Sequence, residues 1–89
     1  MPDGILFSTN YPNPFSTETK IEYSLPSKTG QAKVILYDEN GIIVKEYSLD
    51  IKGKKGILTI SKDNMKSGIY YYAMIVNDQV VGTKKMIVR

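Results

Sequence analysis

Apolar side chains at every second position, or in short runs between turn signals, recur along the whole of this chain. No segment longer than about eight residues keeps the apolar spacing of a helix face. Successive side chains of an extended strand point to opposite faces, so a period of two gives each strand one apolar face. Such faces are buried by packing sheet against sheet. The chain is therefore expected to be all-β.

A short first strand is predicted over residues 5–8. It runs into Asn10-Tyr11-Pro12-Asn13-Pro14-Phe15, where two prolines fix φ and remove two backbone donors, so no regular element continues through it. Residues 20–25 then alternate, with Ile21, Tyr23 and Leu25 on one face and Glu22 and Ser24 on the other, and Pro26 ends that strand. Residues 31–37 set Ala32, Val34 and Leu36 together. Asp38-Glu39-Asn40-Gly41 tolerates the positive φ of a hairpin turn, so residues 42–49 are expected to return antiparallel. Lys52 to Gly56 reads as an exposed connection and residues 57–60 as a brief strand with Leu58 and Ile60 inward. Asp63 to Gly68 is expected to hold one turn of helix, with Met65 plugging the open end of the sheets. Residues 69–76 and 80–88 are the strongest strands, and Asn77-Asp78 between them suits a two-residue type I′ turn. Seven strands with short connections in 89 residues describe one antiparallel sandwich around one core.

Composition removes most chemistries. Without His the commonest general base and metal ligand are missing, and without Cys there is no thiolate and no disulfide staple. Asp38 and Glu39 fall in a hairpin turn with no sign of a pocket around them. Ser61 and Lys62, adjacent in a strand, point to opposite faces and cannot form a dyad. No glycine-rich phosphate loop and no calcium loop of alternating acids is present. No catalytic residue, metal site, cofactor or small-molecule substrate is assigned.

In the run Tyr70-Tyr71-Tyr72, alternation sends Tyr70 and Tyr72 to one face, taken as core, and Tyr71 with Ile75 to the other. Tyr71 and Ile75 are a possible contact patch with little charge nearby, for a receptor or a preceding domain. Charge is uneven: residues 1–51 hold four Lys and seven acids, residues 52–89 eight basic residues and two acids. This could draw an acidic partner, but Lys protecting sheet edges is favoured over nucleic acid. No run is long and apolar enough to span a bilayer as a helix. Met1-Pro2-Asp3-Gly4 lacks the basic and apolar regions of a signal peptide, so export would depend on a signal further upstream and the chain is expected to be a piece of a larger protein.

Four segments carry a family resemblance. Asn10-Tyr11-Pro12-Asn13-Pro14-Phe15 with Thr19-Lys20-Ile21-Glu22-Tyr23-Ser24-Leu25-Pro26 opens it, Leu36-Tyr37-Asp38-Glu39-Asn40-Gly41-Ile42-Ile43-Val44 and then Met65-Lys66-Ser67-Gly68-Ile69-Tyr70 continue it, and Lys84-Lys85-Met86-Ile87-Val88-Arg89 closes it. In order and spacing the set resembles the type IX (Por) secretion C-terminal sorting domain, type A. The resemblance implies an immunoglobulin-like sandwich over residues 10–89, with residues 1–9 a linker remnant and possible first strand. It implies a tag on a larger cargo that passes through the periplasm and reaches the cell surface or medium. Its implied partners are the type IX outer-membrane translocon and shuttle proteins, the upstream cargo domain, and a sortase-like surface protease that cuts near or before residues 1–9. By motif, Pro12, Asn13, Pro14 and Phe15, then Gly68 and Tyr70, then Lys84, Lys85, Met86, Ile87, Val88 and Arg89 are the recognition residues. The alternative is an immunoglobulin-like structural, adhesive or carbohydrate-binding module of a surface protein. Related hook-capping domains carry a Trp-Asp-Gly stretch, and the corresponding residues 58–63 contain no Trp.

Overall fold

The computed structural model describes residues 5–26, 28–53 and 55–89. Seven strands follow one another: β1 (Leu6–Phe7), β2 (Glu18–Ser24), β3 (Ala32–Asp38), β4 (Ile43–Ser48), β5 (Lys55–Ser61), β6 (Gly68–Val76) and β7 (Gln79–Val88). They form a three-stranded sheet in the order β1-β2-β5 and a four-stranded sheet in the order β4-β3-β6-β7, with all named pairs antiparallel. The alternation of the sequence sets the register. Ile21 lies opposite Leu58, Val34 opposite Met74 and Leu36 opposite Tyr72, each pair on an inner face.

Between the sheets lie Phe7, Ile21, Tyr23 and Ile60 from one side and Val34, Leu36, Tyr70, Tyr72, Met74, Met86 and Val88 from the other, all buried. Phe7 meets Tyr72 edge-on, with ring centroids 6.1 Å apart and planes at 72°. The Tyr72 hydroxyl donates across the sandwich to the carbonyl of Ser8 at 3.0 Å. Burial pushes its pKa up to about 12, only partly opposed by a hydrogen bond from the Asn10 backbone. Two glycines allow the close approach of aromatic rings. A Cβ on Gly82 would sit 2.8 Å from the Phe7 ring, and one on Gly56 would collide with the Tyr23 phenol. Either substitution therefore forces a core ring to move.

The turns follow their residues. Asn77 and Asp78 have φ of 50° and 66°, the left-handed pair of a type I′ turn, and Gly41 closes the β3–β4 hairpin at φ 81°. The Asp38 carboxylate, doubtful as a catalyst, accepts from the amides of Asn40 and Ile42 and so builds that hairpin.

Two expectations need correction. Asp63 to Gly68 forms no helical turn: the Lys62 carbonyl accepts from the Met65 amide at 2.8 Å, and Asp63 takes φ of 47°. A left-handed residue there reverses the chain more sharply than a helix would, though Met65 does pack against the core edge. The fifth strand is also longer than residues 57–60, because Lys55 and Gly56 pair with Ser24 and Tyr23. Gly56 reads as a loop residue in the sequence but is the gap that Tyr23 fills; Lys54 lies outside the described residues.

Candidate functional site

The proline-rich segment between β1 and β2 is held by a buried polar knot. Thr19 is fully buried, and its hydroxyl donates to the Pro12 carbonyl at 2.8 Å. The Asn10 side-chain amide, itself buried, donates to Thr19 Oγ1 at 3.1 Å and to the Pro12 carbonyl at 3.3 Å. Tyr11 exchanges two backbone bonds with Lys20, and the Tyr11–Pro12 and Asn13–Pro14 peptides are cis. The hydrogen-bonded knot aims the next residues away from their own sheet and across the open side of the sandwich.

There the segment meets the last strand. The Asn13 side-chain oxygen accepts from the Ile87 amide at 2.9 Å. The Phe15 amide donates to the Ile87 carbonyl at 3.1 Å, and the Phe15 carbonyl accepts from the Arg89 amide at 2.8 Å. Phe15 thus runs parallel to the end of β7 opposite Val88, and both side chains are buried. Burial of a Phe stabilises by roughly 2–3 kcal/mol, so the ring anchors the segment while the three bonds set its register.

Gly68 lies opposite Val88, and Tyr70 opposite Met86, in the β6–β7 ladder. The Tyr70 hydroxyl donates to the Lys66 carbonyl at 2.7 Å and steadies the turn that leads into β6. A bond from the Lys62 amide to the Thr17 carbonyl at 2.9 Å ties this turn to the exit of the proline-rich segment. The three stretches that hold the recognition residues, Pro12–Phe15, Gly68–Tyr70 and Lys84–Arg89, therefore converge at one end of the sandwich.

Within the closing segment the residues divide by face. Met86 and Val88 are core, Lys85 and Arg89 exposed, and Ile87 half-buried on the outer face. Lys84 turns the other way, its ammonium 5.1 Å from the centre of the Phe7 ring. Pro12 and Asn13 are exposed and Pro14 half-buried. The end of the molecule thus presents backbone and basic side chains over a fixed apolar floor.

Tyr71 and Ile75 do face outward, Tyr71 with 38% of its surface exposed. They do not sit apart from charge as expected: Tyr71 is the register partner of Lys85, and Ile75 that of Lys33. Between them Ala73, beside Ile35, is covered. Adjacent strands bring these lysines in, which one-dimensional alternation does not reveal. Sequence reading also missed Asn10 and Thr19. Their polar side chains opposite a proline turn are the signal that could have marked them.

The shape is that of an immunoglobulin-like sandwich. An immunoglobulin-like protein from Pseudomonas aeruginosa, PA1606, superposes with a TM-score of 0.54 over 99% of this chain and 100% of its own, at 7% sequence identity. At that identity the likeness speaks for the fold. No curated protein matches the chain. The family model for the secretion system C-terminal sorting domain matches residues 9–89, and the chain belongs to that family. It is a type IX secretion sorting signal, which implies dealings with the type IX machinery, delivery to the cell surface or medium, and a non-enzymatic role.

Proposed function

We propose that the chain acts as a folded address whose recognition element is the composite end built from Pro12–Phe15, Gly68–Tyr70 and Lys84–Arg89. The observation that carries this reading is the set of three bonds joining Asn13 and Phe15 to Ile87 and Arg89. They join two segments that share no local sequence into one surface, and the β6–β7 ladder adds Gly68 and Tyr70 to it. On this reading the translocon and its shuttle proteins read that surface during passage through the periplasm. The residues in contact are Pro12, Asn13, Lys85 and Arg89, while Phe15, Tyr70, Met86 and Val88 hold them in place.

A sortase-like surface protease then separates the tag from its cargo. The bond cut lies on the N-terminal side of Ile5, because Ile5 and Phe7 belong to the core and a cut after them would remove β1.

The test is export of a fluorescent reporter that carries a periplasmic signal peptide and this chain at its C-terminus, in cells with and without a type IX system. Deleting Lys84 to Arg89 would also empty the core of Met86 and Val88, so the informative variant is Lys85→Ala with Arg89→Ala. The intact tag should bring the reporter to the surface or medium only where the system is present, and the double variant should leave it in the periplasm. Equal export of both would remove the basic end from the recognition element. Retention of both would support a structural or adhesive module instead.

A further inference from the structure

The strand β7 is an edge of the four-stranded sheet, and only its last part is covered. In an antiparallel pair, alternate residues turn their backbone groups towards the neighbour and away from it. Ile87 and Arg89 turn theirs away from β6, since they bond to Asn13 and Phe15. Alternation then turns the N–H and C=O of Lys85 and Thr83 the same way, and no bond among the described residues takes them. A register shift beside Gly82 and Val80 ends this regular stretch on its other side.

We propose that Thr83–Lys85 is a strand-addition site that takes an extended acidic segment of a partner protein. This rests on the sorting reading for the identity of the partner as a component of the export machinery. The chain's own Asn13–Phe15 already lies on this edge, so the edge accepts a strand, and an incoming segment continues the line that Phe15 begins. The charge selects the segment. Lys84, Lys85 and Arg89 belong to the edge, and neither β6, β7 nor residues 13–15 contain a single acid. A second copy of this chain pairing antiparallel through the same stretch would set Lys84 against its own equivalent, with the two copies' Lys85 side chains diagonal to each other, a crowding of like charge that is destabilising. An acidic side chain opposite Lys85 is favourable, and main-chain bonds supply the rest of the affinity.

The other edge of the sheet, β4, offers no such selection. Its Glu46 is 3.3 Å from Lys33, Lys45 stands beside it, and a register irregularity breaks its pairing with β3 near Tyr37. Irregularities of this kind spoil an edge as a template.

The experiment is an NMR titration of the isotope-labelled chain with a short, capped peptide alternating Glu and Val, against the same peptide with Lys in place of Glu. The Glu peptide should shift and protect from exchange the amides of Thr83 and Lys85, with little change at residues 43–48. Thr83→Pro removes an N–H that the fold leaves unused and fixes φ at a position where an edge strand accepts proline, and should abolish binding. Lys85→Glu should weaken binding of the Glu peptide by about tenfold, the sum of one lost attraction and one new repulsion. Equal binding of the two peptides, changes centred on residues 43–48, or no binding at millimolar peptide would each overturn the site. The reporter assay separates this from the sorting role. Export of a Thr83→Pro tag as efficient as that of the parent would overturn strand addition as the recognition step while leaving the sorting role intact. Failure of the parent tag to export would sink the sorting role, whereas peptide binding at the edge would still stand or fall by the titration.

Discussion

The two edges of the four-stranded sheet solve the same problem in opposite ways. Along β4, Ile43 and Val44 are exposed, with 54% and 42% of their surfaces open, as is Ile42 just before it at 62%, and irregular pairing and mixed charge mark this edge. Along β7, the chain's own proline-rich segment covers the end, anchored by a ring that is 2% exposed. An unpaired edge is a template for another chain, and covering it or making it irregular are the usual remedies. The difference teaches where a partner can be chosen. An edge closed by the molecule's own chain leaves a defined remainder, of fixed length and charge, whereas an irregular edge leaves none.

The contrast should collapse when the anchor is removed. Phe15→Ala empties a buried site and should cost about 3–5 kcal/mol, read as a lowered denaturation midpoint, with the amides of Ile87 and Arg89 losing protection before those of β4. Unchanged protection at Ile87 would mean that the segment is held by Asn10 and Thr19 alone.

Alkali should reach the same side. The folded-state pKa of Tyr72 lies near 12, above its ordinary value of 10.0, so the folded state holds its proton more tightly. Stability from this group is complete below pH 10 and is lost as pH rises through about 12, amounting to roughly 2–3 kcal/mol. Because the phenol bonds Ser8, just ahead of the covered segment, the Asn10–Phe15 amides should exchange first in that range. A Tyr72→Phe variant should flatten the alkaline limb of a stability–pH curve. A limb of the same depth in the variant would assign it to other groups.

The smallest effects sharpen the comparison. Asn13→Ala frees the Ile87 amide to water and should cost about 1 kcal/mol. On the β4 side, Lys33→Ala breaks an exposed ion pair with Glu46 and should cost well under about 1 kcal/mol. Equal values from paired denaturation curves would show that the covered end is no more cooperative than the open edge.

Much of the fold was legible because one physical signal, side chains alternating between core and water, repeats through most of the strands. The type I′ turn at Asn77-Asp78 is signalled by its two residue types, and the burial of Tyr70 and Tyr72 follows from the alternation directly. That signal fails where position depends on a partner in space. Gly56 reads as a loop residue until Tyr23 is seen above it, and Asp63 reads as helical until its backbone is seen left-handed. The candidate site was legible as three motifs but not as one surface. Nothing local in Asn13 or Phe15 says that their partners are Ile87 and Arg89, and nothing local in Asn10 and Thr19 says that their bonds arrange the meeting.

The bond between Asn13 and Ile87 spans 74 positions of sequence. A ribosome delivers Asn13 long before the strand that will receive it, so no nascent fragment can complete this core. Phe15 stays without its cover until β7 has been made. Closure by contacts so distant in sequence is also intrinsically slow. The finished shape therefore waits on β7, and the covered edge is the last part of this sandwich that can be completed.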